Sequence, residues 1–186
     1  MAKVAAAVRT HPLAGRKVAS KAVKITPAEP AARLSLRAGE DALASLSRAL
    51  GVKLPTTPKN SAASKAGSRA ALWLGPDEWL VIDTGGGDPV ADCAKAKALH
   101  SAVDISQRNT AILVEGAGAE DVLSAGCPQD LSLAAFPVGA CSRTVLGKIE
   151  IVVWRMADDM FRVECWRSFS DYAFAFLSEA ARDAGA

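Results

Sequence analysis

The sequence predicts an α+β fold of mainly antiparallel sheets with packed helices, and three observations carry that prediction. Short alternating or β-branched apolar runs outnumber the helical stretches. The two kinds interleave as β-α-β-β-α-β and then β-β-β-α, which is not the strict alternation of a parallel α/β sheet. Turn residues such as Gly75-Pro76-Asp77-Glu78 and Asp158-Asp159 separate neighbouring strands by hairpin distances. The expectation is a sheet covered by helices on one side.

Residues 31–37 alternate around Leu34 and Leu36 and read as the first strand. Gly39 turns the chain into an amphipathic helix over 40–50, with Leu43, Leu46 and Leu50 on one face and Gly51 as its cap. Residues 55–68 are polar and carry no core signal. Two strands within 69–82 flank the Gly-Pro-Asp-Glu turn, bracketed by Trp73 and Trp79. A helix over 89–99 and strands over 101–104 and 110–115 follow. At Gly116 and Gly118 the chain reverses into a helix over 119–125, with Glu120 and Asp121 where the helix dipole favours acids. Gly126 and Pro128 end it. Strands over 142–146, 149–155 and 160–166 precede a last helix from Ser170, with Tyr172, Phe176, Leu177 and Ala180 on its apolar face.

Half of the 186 residues are hydrophobic, enough for one packed core, which we place at 30–186. No apolar run approaches the ~18–20 residues of a membrane helix, and no signal-peptide core is visible, so the expected location is cytoplasmic, away from membranes. Four irregularly spaced cysteines without a C-x-x-C pair, with only His11 and His100 to supplement them, exclude a structural zinc site and read as reduced, buried thiols. Residues 1–29 set six cations against Glu29 alone, a net of +5 that leaves −3 for the rest of a chain whose total is +2. Such a leader can be an organelle transit peptide, but serine is scarce. It can touch nucleic acid, but no aromatic residue is there to stack. The favoured reading is an extended arm that orders against an acidic partner surface, with Arg9, Arg16, Lys17, Lys21 and Lys24 as interface candidates.

Catalytic constellations are hard to assemble from this chain. A serine-type triad needs a base beside the hydroxyl, and no G-x-S-x-G is present. Gly116 and Gly118 match the start of a dinucleotide fingerprint, but Asp121 stands where the third glycine belongs and an acid there repels a pyrophosphate. Gly85 to Gly87 lacks the G-K-[ST] of a phosphate loop. The acid pairs Asp77-Glu78, Glu120-Asp121 and Asp158-Asp159 occupy turns, where solvated carboxylates are expected. Arg143, Arg155, Arg162 and Arg167 can hold an anion, but exposed sheet faces or ion pairs across an interface suit them better. The residues alone describe a domain without a self-sufficient active site.

Several blocks together resemble one family. They are 72–80 (L-W-L-G-P-D-E-W-L, with Trp73, Gly75, Pro76, Asp77, Glu78 and Trp79), 103–106 with Asp104 and Ser106, 126–131 with Cys127, Pro128, Asp130 and Leu131, 135–137, and Arg167-Ser168-Phe169. In this order they resemble the γ subunit of bacterial heterotetrameric sarcosine oxidase. The resemblance implies a fold related to the folate-binding domain of the glycine-cleavage T-protein, and an accessory, non-catalytic chain with no cofactor of its own. It also implies partners, the α, β and δ subunits, with α the expected direct contact and with FAD, FMN, NAD and tetrahydrofolate held by those partners. The complex would oxidatively demethylate sarcosine to glycine. T-proteins carry paired aspartates after a central glycine turn. The corresponding stretch here, 147–151, retains only Glu150, which suggests an inactive relative. The alternative is a free-standing folate-binding or aminomethyl-transfer domain using Glu150 and nearby arginines. Trp73, Trp79 and Trp166 belong either to the core or, where exposed, to an interface.

Overall fold

The computed structural model describes residues 11–184 and contains eleven strands, all paired antiparallel, in two sheets. The first sheet has the order β1 (Val18–Ala19), β2 (Lys24–Pro27), β8 (Asn109–Glu115), β11 (Met160–Trp166), β10 (Ile149–Ala157), β9 (Cys141–Leu146). The second runs β4 (Ser61–Ala63), β5 (Arg69–Gly75), β6 (Glu78–Asp83), β3 (Ala32–Ala38), β7 (His100–Asp104). The chain begins in one sheet, builds the whole of the other, and returns.

Strand alternation sorts the core into three apolar layers. Leu34, Leu36, Trp79 and Val81 face α1 (Leu43–Leu50) and α2 (Pro89–Cys93). Ile112, Val114, Ile151, Val153, Phe161 and Val163 face α3 (Ala119–Ser124) and α4 (Ser170–Asp183). Ala70, Leu72, Leu80, Ile82, Cys141 and Val152 fill the space between the sheets. Helices therefore cover the outer face of each sheet, and the expectation of helices on one side of a single sheet is corrected to four layers. The inner faces bear charges that the sequence presents as solvent-facing, which is why a second buried face went unread.

Three local expectations also change. Residues 11–29 are not a detached arm. Leu13, Val23, Ile25 and Ala28 are buried, and Lys24–Pro27 pair with Glu115–Ile112 on the edge of the first sheet. The prolines hid a strand only four residues long. The helix expected over 89–99 stops at Cys93, because Leu99 is 89 % exposed and His100 pairs with Ala38 in the sheet. The loop 55–68 contributes a strand: Ser61 pairs with Leu72, and the Pro55 carbonyl accepts a 2.7 Å hydrogen bond from the Trp79 indole.

Candidate functional site

The space between the sheets holds buried charge. Arg33 on β3 and Arg162 and Glu164 on β11 point into it with 3–5 % and 1 % of their side chains exposed. Glu164 takes Arg33 Nε at 2.6 Å on one oxygen and Arg162 Nε at 2.8 Å on the other, while Arg33 Nη1 donates to the Ala31 carbonyl at 3.1 Å. Three charges in a buried layer are tolerated because each is hydrogen-bonded to another. Arg155, on the opposite face of the first sheet, is also buried: it donates to the Leu131 and Asp158 carbonyls, reaches Glu120 at 3.1 Å, and stacks on Phe161 at 4.3 Å. The arginines expected on exposed sheet faces are, at 155 and 162, internal.

At the rim of this space the Gly-Pro-Asp-Glu turn does structural work. Glu78 receives Arg37 from its own sheet at 2.9 Å and Arg143 from the facing sheet, so one carboxylate ties the two sheets together. Asp77 adds a second, exposed contact to Arg37 at 3.3 Å. The cleft lined by Glu78, Leu80, Arg143, Glu150 and Glu164 has a free volume of only about 40 Å³. A small-molecule pocket needs roughly 300 Å³ or more; this one has room for water and not for a pteridine or a flavin. Glu150 is exposed at its edge, opposite Val145.

Where the chain crosses from one sheet to the other, the remaining motifs converge. Asp104 Oδ1 accepts the Ser106 amide at 2.8 Å, and Ser106 Oγ in turn accepts the Arg33 amide at 2.8 Å. The Arg108 carbonyl accepts the Arg167 amide at 2.7 Å, which docks the turn Arg167–Phe169 against the crossover. Trp166 stacks on Phe169 at 5.9 Å, Arg108 lies over the Trp166 ring at 5.3 Å, and Ser168 is exposed beside them. Behind this ledge lies a cavity of about 130 Å³ lined by His11, Arg33, Ser106, Thr110 and Arg167. His11 Nδ1 accepts the Leu13 amide at 3.3 Å, and Nε2 faces Thr110 Oγ1 at 3.3 Å. Partial burial holds its imidazole below the ordinary 6.5; Arg33 and Arg167 act in the same direction, against the Ala28 carbonyl and Glu29.

Other expected site residues are scattered. Cys127 and Leu131 are core, Pro128 is exposed, and Asp130 Oδ1 accepts the Ser132 amide at 2.9 Å. The Ser132 amide and hydroxyl hold the Asp130 carboxyl below the usual range. Of the interface candidates, Arg16 pairs with Asp171 at 2.6 Å and Lys24 with Glu115 at 3.1 Å, so both serve contacts within the chain. Lys17 and Lys21 are exposed, and Arg9 lies outside the described residues. The tryptophans divide: Trp79 is buried, Trp73 half-buried and Trp166 42 % exposed.

The two glycine turns have packing reasons. A Cβ on Gly116 (φ +120°) would sit 2.4 Å from the Ala22 carbonyl oxygen, and the Gly118 amide donates to that same oxygen at 3.0 Å. These glycines let residues 20–23 lie on the turn. The amides of Gly85 and Gly87 donate to Asp83 Oδ1 at 2.9 and 3.0 Å. An apparent phosphate loop is thus wrapped around the protein's own carboxylate, which Arg69 clamps at 2.7 Å. Burial alone would raise that carboxyl, but Arg69 and the two amides hold it below the usual range. All four cysteines are free and buried, and burial pushes the Cys141 and Cys165 thiols up to about 12, far from a reactive thiolate. Among the described residues no group of three or more His, Cys, Asp or Glu is placed to hold a metal ion, and no helix is long and apolar enough to cross a membrane.

Fold and site together define an α+β protein of two helix-covered antiparallel sheets whose inter-sheet space is narrowed by its own ion pairs. Its fold matches that of the glycine cleavage system aminomethyltransferase T from Bartonella henselae with a TM-score of 0.64 at 8 % identity, over 88 % of this chain and 49 % of that one. Residues 37–183 match the sarcosine oxidase, gamma subunit family. Sarcosine oxidase subunit gamma from Corynebacterium sp. (strain U-96) is 31 % identical over 189 residues, covering 96 % of this chain and 87 % of that one. The counterpart from Corynebacterium sp. (strain P-1) is 31 % identical over 144 residues, 76 % of this chain and 70 % of that one. A chain of the heterotetrameric sarcosine oxidase from Corynebacterium sp. U-96, solved with pyrrole 2-carboxylate, superposes with a TM-score of 0.85 at 27 % identity, over 96 % of this chain and 97 % of that one. The chain belongs to the sarcosine oxidase gamma subunit family.

Proposed function

We propose that this chain is an accessory, non-catalytic subunit that supports assembly of a heterotetrameric sarcosine oxidase. Its partners are the α, β and δ subunits, with α in direct contact. The complex oxidatively demethylates sarcosine to glycine, releasing hydrogen peroxide and, with tetrahydrofolate, methylenetetrahydrofolate. FAD, FMN, NAD and tetrahydrofolate sit on the partner subunits. One observation carries the reading. The inter-sheet cleft is narrowed to about 40 Å³ by side chains that bind one another, with Glu78 joining Arg37 and Arg143 across it. That volume leaves no room for a folate within the inter-sheet cleft, since such a ligand needs several times as much space. Co-expression of a tagged chain with the α, β and δ subunits tests the proposal: affinity capture is expected to recover all four in fixed stoichiometry. Capture of the tagged chain alone would reject it.

A further inference from the structure

Residues 11–19 lie against the first sheet as a strap with few attachments. Leu13 is buried in the core and Val18 packs against the same cluster. β1 pairs with β2 through Val18 with Ile25 and Ala19 with Lys24. Arg16 reaches Asp171 at 2.6 Å and lies over the Phe174 ring at 5.7 Å, but both sides of that ion pair are exposed, and surface pairs contribute little. The first residue of the strap, His11, is therefore one of its main fastenings. The Leu13 amide donates to His11 Nδ1 at 3.3 Å, closing a side-chain turn of the kind that asparagine makes, and the Ala14 and Arg16 amides continue it onto the His11 and Leu13 carbonyls at 3.2 and 3.1 Å. That bond needs a lone pair on Nδ1, so the ring proton sits on Nε2, which faces Thr110 Oγ1 and the Ala28 carbonyl. The charged groups that face the ring are Arg33 from β3, Arg167 from the turn after β11, and Glu29. Partial burial disfavours a charge on the imidazole, and the two cations act in the same direction against the Ala28 carbonyl and Glu29. The cavity of about 130 Å³ beside the ring admits the water that delivers a proton.

We infer that His11 is a proton-operated latch on this strap. Neutral, it accepts the Leu13 amide and keeps residues 11–19 down; protonated, it sets an N–H against that amide and lets the strap lift while the rest of the fold stays closed. The hinge is the turn at 20–23, where Ser20 Oγ accepts the Ala22 and Val23 amides at 3.2 and 3.1 Å. Beyond it, β2 is tied to β8 by the pairs from Lys24–Glu115 to Pro27–Ile112 and stays in place. Lifting the strap uncovers the core site of Leu13 and the Phe174 ring, so acid exposes apolar surface beside α4 that is covered at neutral pH.

The test is hydrogen exchange of the full chain at pH 7 and pH 5, read as protection relative to the intrinsic rate at each pH. In the wild type, protection of the Leu13, Ala14 and Arg16 amides is expected to fall by about fivefold or more between the two, while the β10–β11 hairpin keeps its own. In His11→Asn the side-chain oxygen takes the place of Nδ1 and does not titrate, so protection is expected to stay high at both pH values. In His11→Ala it is expected to be low at both. A wild-type profile as flat as that of His11→Asn would overturn the latch, and so would His11→Ala protected like wild type at pH 7. A parallel loss in the β10–β11 hairpin would mean that acid unfolds the whole domain and would overturn the local device.

Discussion

Glu164 shows most directly how single residues hold this molecule together. It is 1 % exposed and is the shared acceptor for Arg33 and Arg162, so Glu164→Gln leaves two buried guanidinium groups facing a neutral amide. Removing one partner of a buried ion pair typically costs about 3–5 kcal/mol. Urea unfolding should report a loss of that order, and a loss under about 1 kcal/mol would mean that the layer is wet. His11 gives a pH dependence of stated sign. Its folded-state pKa lies below the unfolded 6.5, so its contribution to stability is complete above that value and is lost as pH falls through the folded one. Thermal melts from pH 7 to pH 5 should fall less steeply for His11→Gln than for wild type, and parallel profiles would contradict the assignment.

At the scale of elements, each glycine turn is explained by what lies on it. Gly116→Ala should displace residues 20–23 and fray the β1–β2 edge, because the new methyl meets backbone and cannot move aside. Hydrogen exchange at the amides of Lys24, Ile25 and Thr26 should rise by about an order of magnitude or more while the β10–β11 hairpin stays protected. Asp83→Ala should release the Gly85 and Gly87 amides and deprive Arg69 of its carboxylate, and protease cleavage within 84–88 is the expected sign. These elements also mark what the sequence makes legible. The strands around Asp77-Glu78 and Asp158-Asp159 and the helices opened by Glu40 and Ser170 announce themselves through period and turn chemistry. The short strand Lys24–Pro27 does not, because two prolines flank its neighbourhood and its pairing partner is some ninety residues away at Glu115. Arg162, which shares its layer with Arg33 and Glu164, misreads as a surface residue for a related reason. Alternation assigns a charged position to solvent, and only the packing of two sheets brings these three charges into one layer. The motif blocks were legible as a set, but their roles were not: Glu78 is a bridge between sheets, and Arg167–Phe169 is a turn beside an aromatic stack.

For the whole molecule, the four layers keep the architecture of an aminomethyltransferase domain while the cleft between the sheets is occupied by side chains that bind each other. Enlarging that cleft should not create activity: Arg143→Ala, which frees Glu78 from the facing sheet, is expected to lower stability without conferring tetrahydrofolate binding by calorimetry. Assembly of the complex is the property on which the chain's role rests. The direct measurement is the yield and thermal stability of active sarcosine oxidase from cells expressing the α, β and δ subunits with and without this chain. The expected result is that omission leaves little stable complex and that adding the chain restores it at one copy per complex. Active enzyme of full stability assembled in its absence would contradict the central claim.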